Sequence, residues 1–521
     1  MSAIDHDDEA VVIIGSGAGG GTLAYELTAK GIPVVLLEAG PYLRNEDYIN
    51  EEWESFAQLA WTDSRTTSGS WRVGQDFPNL PAWVVKAVGG TTTHWSGATP
   101  RFKAHEFKAR TAYGHVDGAT LLDWPIDLDD LAPYYDRAEI AMGSTHRHGR
   151  KPLPANNNYK VFAEGAKRVG YKHYATGPYA TNAEEYDGRP ASIQDGFNFQ
   201  GDKNKSKWST LVREIPRAEA TGLLDLRPDS QVVRISHDAH GRADAVLYVT
   251  KDGSLHRQKA RLVAVAANSI ETARLLLLSE SAMFPDGLAN SSGQVGRNYM
   301  RHMTGSTYAQ FEQPVRFYRG ETMAGIIADE SVHDTSRGFA GGYYMETIAL
   351  GPAFLAKFLS PGAWGREFTT FLDSYAHTAG MWLVGEDLPQ STNRITLDPS
   401  VLDANGLPVA NVHFDDHPND IAMREHAYTK SAELYRSVDA IRTHRTPPYP
   451  STHNLGTARM SAKPDDGVVD KWGRAHDVPN LFISDGSVFT TGAAANPTLT
   501  IVALAIRQAD YIADQLAAQN L

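Results

Sequence analysis

A chain of 521 residues with 42% hydrophobic and 21% charged side chains has ordinary globular composition, and its length suggests two or three domains. Lys and Arg number 49 against 62 Asp and Glu, a net charge of −13 that repels phosphate backbones and anionic lipid surfaces and argues against a nucleic-acid partner. The chain has no cysteine, which excludes disulfides, thiolate-held iron–sulfur clusters, thioether-linked haem and a cysteine nucleophile.

The acidic opening, Met1 to Ala10, lacks the basic, apolar and small-residue segments of a signal peptide. No apolar run has the length of a bilayer span, so no membrane span and a cytoplasmic location are expected. Val11-Val12-Ile13-Ile14 then reads as a buried strand, followed by a Gly15-x-Gly17-x-x-Gly20 turn, a helix over Thr22 to Lys30 closed by Gly31, and a second parallel strand over Val34 to Leu37. Each glycine has a task in a dinucleotide site. Gly15 allows the tight turn, Gly17 lets backbone approach a pyrophosphate, and Gly20 lets helix and strand pack closely, with the helix N-terminus facing the anion. Glu38 follows Gly20 by eighteen residues and ends the second strand, where a carboxylate accepts hydrogen bonds from an adenosine ribose. The motif specifies a dinucleotide without choosing one.

An irregular stretch with Trp53, Trp61 and Trp71 leads to Gly89-Gly90-Thr91-Thr92-Thr93-His94-Trp95-Ser96-Gly97. Paired glycines and small hydroxyl residues allow this backbone to press against a ligand beside an imidazole and an indole; a plain turn with a core histidine is the alternative reading. Asp123 to Glu139 reads as a capped, architectural helix. His146 and His148 flank Arg147 in a spacing unlike a metal-ligand set, so a solvated loop and no metal site are expected. The run Gly201 to Ser209, with Lys203, Lys205 and Lys207, reads as a solvated face.

Leu226 to Ile235 and Ala245 to Thr250 alternate like antiparallel strands joined by a turn near His240-Gly241. Arg261 to Asn268 is a buried strand running into a helix from Ser269, a second crossing that returns the chain to the first sheet and makes the nucleotide domain discontinuous. Between Arg301 and Arg445, period-two stretches rich in aromatics predict an antiparallel sheet with helices. After Arg445, His453 to Met460 precedes a short strand at Leu481 to Ser484 that places Asp485 at its carboxyl end. Asn496-Pro497-Thr498 then starts the closing helix, whose free N–H groups can stabilise negative charge on a bound ring.

Four blocks in this order, Gly15 to Glu38, Gly89 to Trp95, His453 to Met460 and Asp485 to Thr498, resemble the glucose-methanol-choline (GMC) oxidoreductases, and the similarity covers most of the chain. Within that family they look most like pyranose oxidases and the flavin subunits of bacterial gluconate, glucose and fructose dehydrogenases. The resemblance implies an α/β plus α+β fold. A discontinuous Rossmann-like FAD-binding domain would span 8–120, 200–300 and 446–521. An antiparallel-sheet substrate domain with connecting segments would span 121–199 and 301–445. It also implies FAD as cofactor, cradled by Gly15, Gly17, Gly20, Gly90, Thr91, Trp95, Pro497 and Thr498. By the same resemblance Glu38 would hold the ribose, the backbone at Val232 and Val233 the adenine, and Asp485 the ribityl or pyrophosphate region. His453 would be the catalytic base and Asn496 its partner at the substrate hydroxyl. His94 matches the position bonded covalently to flavin in pyranose oxidases. Asn268 departs from the family's usual glycine and Ala458 from a common cysteine, and Gly201 to Ser209 lacks the cluster cysteines of membrane-associated relatives.

The implied reaction is oxidation of an alcohol on a sugar, glycoside or polyol to a carbonyl. Hydride passes to flavin N5, and a neutral imidazole, with an ordinary pKa of about 6.5, takes the proton. Oxygen, a quinone or a separate redox carrier would receive the electrons. Aryl alcohols, a non-redox flavin lyase and an NAD-dependent dehydrogenase are the competing readings.

Overall fold

The computed structural model describes residues 3–521 except 50, 52, 53, 55–59, 62, 70–82, 197, 199, 200, 361, 449 and 450; Trp53 and Trp71 lie outside the described residues. The glycine-rich segment opens a parallel unit of β1 (Ile4–Ile14), α1 (Ala18–Ala29) and β2 (Val34–Leu37), in register from Val11↔Val34 to Ile14↔Leu37. Its apolar run lacks polar alternation because both faces are covered. Val11 and Ile13 pack with Leu23 and Leu27 of α1, whereas Val12 and Ile14 enter the larger core with Val263 and Val265.

Helix α1 begins at Ala18, ahead of the expected Thr22, because Gly19, Gly20 and Gly21 are themselves helical. Glycine weakens a helix, but here nothing larger fits. A Cβ on Gly19 would lie 1.6 Å from the Ser484 carbonyl oxygen, and one on Gly20 would lie 1.9 Å from that of Gly15.

The next strands are β3 (Leu224–Arg227), β4 (Ser230–His237), β5 (Ala243–Thr250) and β6 (Leu255–Val265). The single strand expected over Leu226 to Ile235 is therefore two. β3 adds parallel to β2, Pro228 and Asp229 (φ 50°) break the run, and β4 pairs antiparallel with β5. The hairpin turn does fall at His240-Gly241, closed by the Asp238 N–H to the Arg242 carbonyl at 2.8 Å. β6 lies parallel to β1 and leads into α2 (Asn268–Leu278), so the chain returns to its first sheet. The departure at Asn268 preserves the backbone a glycine would supply: its φ is 76°, and Asn tolerates that left-handed region better than most side chains.

The middle of the chain supplies β7 (Met303–Gln310), β8 (Tyr343–Thr347), β9 (Thr378–Gly385) and α3 (Pro418–Ser437). The sheet runs Arg442–Arg445, β7, β9, β8, Ile326–Ile327 and Tyr174–Ala175, with every neighbouring pair antiparallel. One face, with Met345, Met381 and Leu383, packs on Met423 and Ala427 of α3. Side chains alternate along a strand, so Ser306, Trp382 and Glu346, which are directly paired across the ladders, share the opposite face.

The chain closes with β10 (Leu481–Ile483), parallel to β6, and α4 (Thr498–Ala517), which packs against α1. Strands β1, β6 and β10 end side by side, and ligands of open α/β sheets collect at that edge. This is α/β architecture joined to an antiparallel α+β layer, as expected. The contact between Gly19 and the end of β10 makes a stability prediction. Gly19→Ala should cost about 1–3 kcal/mol by overpacking and lower the unfolding temperature of the FAD-free protein. Gly17→Ala, whose Cβ would have Gly90 Cα as nearest atom at 3.9 Å, should not; equal melting of the two variants would contradict the packing argument.

Candidate active site and cofactor cleft

A cavity of about 380 Å³ runs from the Gly15–Gly19 turn to His453 and Asn496. At its nucleotide end Gly15, Gly17 and Glu38 line the wall, while Gly20 sits behind it as a packing residue. The Glu38 carboxylate accepts from Ser16 N at 3.0 Å, Ser16 Oγ at 2.7 Å and Gly40 N at 3.0 Å. Three of roughly four acceptor positions on a carboxylate are thus filled, leaving one on Oε1 for a ligand hydroxyl. Burial pushes this carboxyl above its usual range, and those donors oppose the shift.

Ser16, which the motif left unassigned, fastens two loops together. Its hydroxyl oxygen accepts from Gly89 N at 3.0 Å and its carbonyl accepts from Thr210 Oγ1 at 2.8 Å. Gly90 then packs so closely that a Cβ there would lie 2.8 Å from Gly17 Cα. Gly90, Thr91, His94, Trp95 and Ser96 all line the cavity. Val232 lines it too, whereas Val233 does not. Val233 is the extra residue of a β-bulge between Val232 and Arg234, which turns it away from its neighbour's direction. Asp485 reaches the cavity with both oxygens engaged: Oδ2 accepts from Asn268 N and Thr272 Oγ1, and Oδ1 from Ser487 N and Oγ. Its carboxylate holds the ends of β6 and β10 together.

His94 is buried. The Thr93 hydroxyl donates its one hydrogen to the Gly90 carbonyl at 2.9 Å, so at its 2.9 Å contact with His94 Nδ1 it accepts. Nδ1 therefore carries the proton. Nε2 keeps its lone pair and has no partner among the described residues. Burial, and secondarily the Lys207 ammonium, push the ring down to about 3, so it stays neutral. That lysine overturns the expectation of a solvated run at Gly201 to Ser209. Lys207 and Trp208 are buried. Lys207 Nζ donates to the carbonyls of Thr93, Trp95 and Asn198, fixing both sides of His94, and burial pulls its ammonium down to about 8. Trp95 is held as well, its Nε1 donating to the Trp208 carbonyl at 2.9 Å.

At the other end, His453 lies deep in the protein but keeps partial exposure to the cavity. Its Nδ1 is 2.9 Å from Nδ1 of His302, a fully enclosed residue at the start of β7 whose Nε2 is 2.9 Å from the Gly492 carbonyl. A carbonyl can only accept, so His302 Nε2 carries hydrogen. Burial pushes that ring down to about 4, leaving it neutral with an accepting Nδ1. His453 Nδ1 must then donate, and the unprotonated nitrogen of His453 is Nε2. Burial, with a smaller contribution from His302, holds His453 well below the ordinary histidine value.

Asn496 is buried against Glu346, its Nδ2 3.5 Å from Oε2. Burial raises Glu346 to about 8, so near neutral pH it is an uncharged carboxyl behind the amide. Asn496 retains a second N–H and an Oδ1 without a partner among the described residues. Trp382 leans edge-on to His453, with ring centroids 5.5 Å apart. Pro497 and Thr498 complete the wall at the first turn of α4.

His302, Glu346, Lys207 and Ser16 escaped the sequence reading; only the Glu346–Trp382 strand pairing had a local signal, in the aromatic period-two pattern. His148 is not simply solvated: its Nε2 is 2.8 Å from the buried Glu139 carboxylate, near Asp136. Arg101 already bonds both carboxylates, at 2.7 Å to Glu139 and 2.6 Å to Asp136, so this cluster is an ion-pair network.

The cleft fits a flavin dinucleotide: a close-approach glycine turn, an acid at the end of β2, and unpartnered buried atoms on His94 and Asn496 at the far end. Residues 75–304 and 389–505 match the N-terminal and C-terminal models of the GMC oxidoreductase family. The chain is 35% identical to 2-methyl-1,2-propanediol dehydrogenase of Mycolicibacterium austroafricanum, over 97% of this chain and 95% of that one. It is 29% identical to the fructose dehydrogenase large subunit of Gluconobacter japonicus, over 97% and 98% respectively. A formate oxidase of Aspergillus oryzae shares the fold, with a TM-score of 0.66 at 15% identity over the full length of both chains. The chain belongs to the GMC oxidoreductases and is an FAD-dependent alcohol oxidoreductase. FAD, not NAD, is therefore its dinucleotide. No helix among the described residues is long and apolar enough to cross a membrane, and the sequence has no cysteine to hold an iron–sulfur cluster.

Proposed function

We propose that this chain oxidises an alcohol group of an uncharged polyol, diol or sugar to a carbonyl, with His453 as the base and Asn496 as the residue that orients the hydroxyl. The observation that carries the reading is the chain of hydrogen bonds from Gly492 through His302 to His453, which leaves Nε2 of a neutral imidazole for the cavity. Near neutral pH that nitrogen is free to take the hydroxyl proton. The remaining N–H of Asn496 donates to the alcohol oxygen, and the uncharged Glu346 behind it keeps the amide in place without adding charge beside the reacting bond. When bound, FAD supplies the two-electron acceptor for the hydrogen leaving the carbinol carbon. Glu38 and the Gly15–Gly20 turn would hold its adenosine and pyrophosphate, and the Gly90–Trp95 loop with Asn496 to Thr498 its ring.

An uncharged substrate is supported by the lining. Among the described cavity residues, the side chains that carry charge near neutral pH in their ordinary state, histidine aside, are Glu38, Lys86, Glu271, Arg274 and Asp485, from the segments around the nucleotide end. The substrate wall includes Ser306, Tyr308, Thr322, Trp382 and Thr446, with Met323 and Ile348. Burying an unpaired charge there would cost several kcal/mol, whereas hydroxyls and an indole suit a sugar or diol. The activities for which the two sequence relatives are named, on a diol and on fructose, agree. We also assign residues 8–120, 200–300 and 446–521 to the FAD-binding domain and 121–199 and 301–445 to the substrate domain. The division is supported by the two larger sheets, the mixed seven-stranded one drawn from the first set and the antiparallel six-stranded one from the second, although a small sheet pairs Thr67 and Ser68 with Val412 and His413 across it.

His94 lines the cavity, and its neutral ring with an unpartnered Nε2 among the described residues supports a covalent link to the flavin. Two outcomes follow. A positioned base contributes about 10²–10⁴-fold, so His453→Ala should slow anaerobic flavin bleaching by a diol or sugar to that extent while FAD content is unchanged; near-normal bleaching would remove His453 from the role. Acid precipitation of the holoprotein should carry the yellow colour into the pellet, and His94→Ala should release it to the supernatant, whereas colour in the supernatant of the unaltered protein would refute the link.

A further inference from the structure

Trp382 is the largest side chain on the substrate wall, and its geometry is unusual for an indole. Only 8% of the residue is exposed, and its Nε1–H is buried with no acceptor among the described residues. Indole N–H groups usually find a partner when buried, and one left unpaired costs about 1–3 kcal/mol. The group is a donor only, so what would satisfy it is an oxygen. On β9 the residue faces the cavity, paired with Ser306 on β7 and with Glu346 on β8, and its ring stands edge-on to His453 with centroids 5.5 Å apart. An oxygen that meets this N–H from the cavity would lie on the His453 side of the cleft and not at its nucleotide end. A buried, unpartnered hydroxyl on Thr322 lines the same cavity.

We propose that the Trp382 indole N–H is a second-hydroxyl subsite, which binds an uncharged oxygen of the substrate next to the one being oxidised and makes the enzyme selective for diols and polyols over monohydric alcohols. This rests on the reading of His453 as the base that fixes the position of the first hydroxyl. The selectivity is physical. A monohydric alcohol leaves the indole N–H as it is in the free enzyme, buried and unpaired, whereas the second oxygen of a diol satisfies it, so only the diol gains that binding energy. A carboxylate would also accept from the indole, but no cation stands among the described residues of this wall to balance it.

The test compares the FAD-loaded wild type with Trp382→Phe, which keeps an aromatic ring but removes the N–H donor together with part of the indole's volume, a loss of packing that 1-butanol reports separately. Anaerobic flavin bleaching is measured with 1,2-butanediol and with 1-butanol. Binding is measured separately by perturbation of the flavin absorbance with 2,3-dimethylbutane-2,3-diol, which has no hydrogen on either carbinol carbon and cannot react. The wild type should prefer the diol. In Trp382→Phe, kcat/KM for the diol should fall about five- to tenfold through KM, the value for 1-butanol should hold or rise, and the dissociation constant of the inert diol should rise by the same five- to tenfold. An unchanged diol-to-monohydric ratio, or an inert diol that binds both proteins equally or binds neither, would overturn the subsite. If the wild type bleaches with neither alcohol, the diol reading of the proposed function fails, while the inert diol still decides on Trp382.

Discussion

A hydrogen bond between two neutral imidazoles, made where water cannot replace it, governs the candidate site. Nδ1 of His302 and Nδ1 of His453 approach to 2.9 Å, and two such nitrogens can share only one hydrogen. Which ring owns it is decided a step away, by the Gly492 carbonyl that takes the Nε2 hydrogen of His302. The direction of the whole chain then follows, ending in a lone pair on His453 at the cavity. Adding a proton to either ring would place a charge in a poorly solvated interior, and this is why burial depresses both. Three distant segments must meet for this to happen: the start of β7, the loop after residue 450, and the loop ahead of α4. The antiparallel layer brings the first, and the return of the chain to the parallel sheet brings the other two.

The cofactor cleft depends on a similar economy of polar groups. Ser16 satisfies Glu38 and the Gly89 loop with one hydroxyl, Asp485 joins the ends of β6 and β10 through four donors, and Lys207 binds carbonyls on both sides of His94. Each is an enclosed group with more than one partner, the arrangement in which polar side chains rigidify a site instead of destabilising it. The glycines act in the opposite sense. At Gly19, Gly20 and Gly90 the absence of a side chain lets backbones approach until no methyl would fit.

What could be read in the sequence was what local pattern encodes. β1, α1 and β2 announced themselves by a β-branched run, spaced glycines and an acid, and Asp485 by its place after a short apolar strand. His453, Asn496 and His94 carry no such local signature and were reached only through four ordered blocks shared with a family. His302, Glu346 and Lys207 had neither route. Their partners lie 151, 150 and 112 residues away, at His453, Asn496 and Trp95, and no window of sequence holds both ends of such a contact. The lysine run at Gly201 to Ser209 misled for the same reason: composition suggests a solvated face, but three backbone carbonyls from elsewhere make one lysine an interior residue. Leu226 to Ile235 misled differently. Its alternation continues through Pro228, and only the left-handed Asp229 beyond it sends the two halves to different neighbours.

The central claim, that a neutral imidazole presents an unprotonated Nε2 to the substrate, can be measured without turnover. In the holoenzyme with selectively ¹⁵N-labelled histidine, His453 assigned by its loss in His453→Ala should show hydrogen on Nδ1 and none on Nε2, unchanged between pH 6 and 8. Hydrogen on Nε2, or a titration near the ordinary histidine value of about 6.5, would contradict the account.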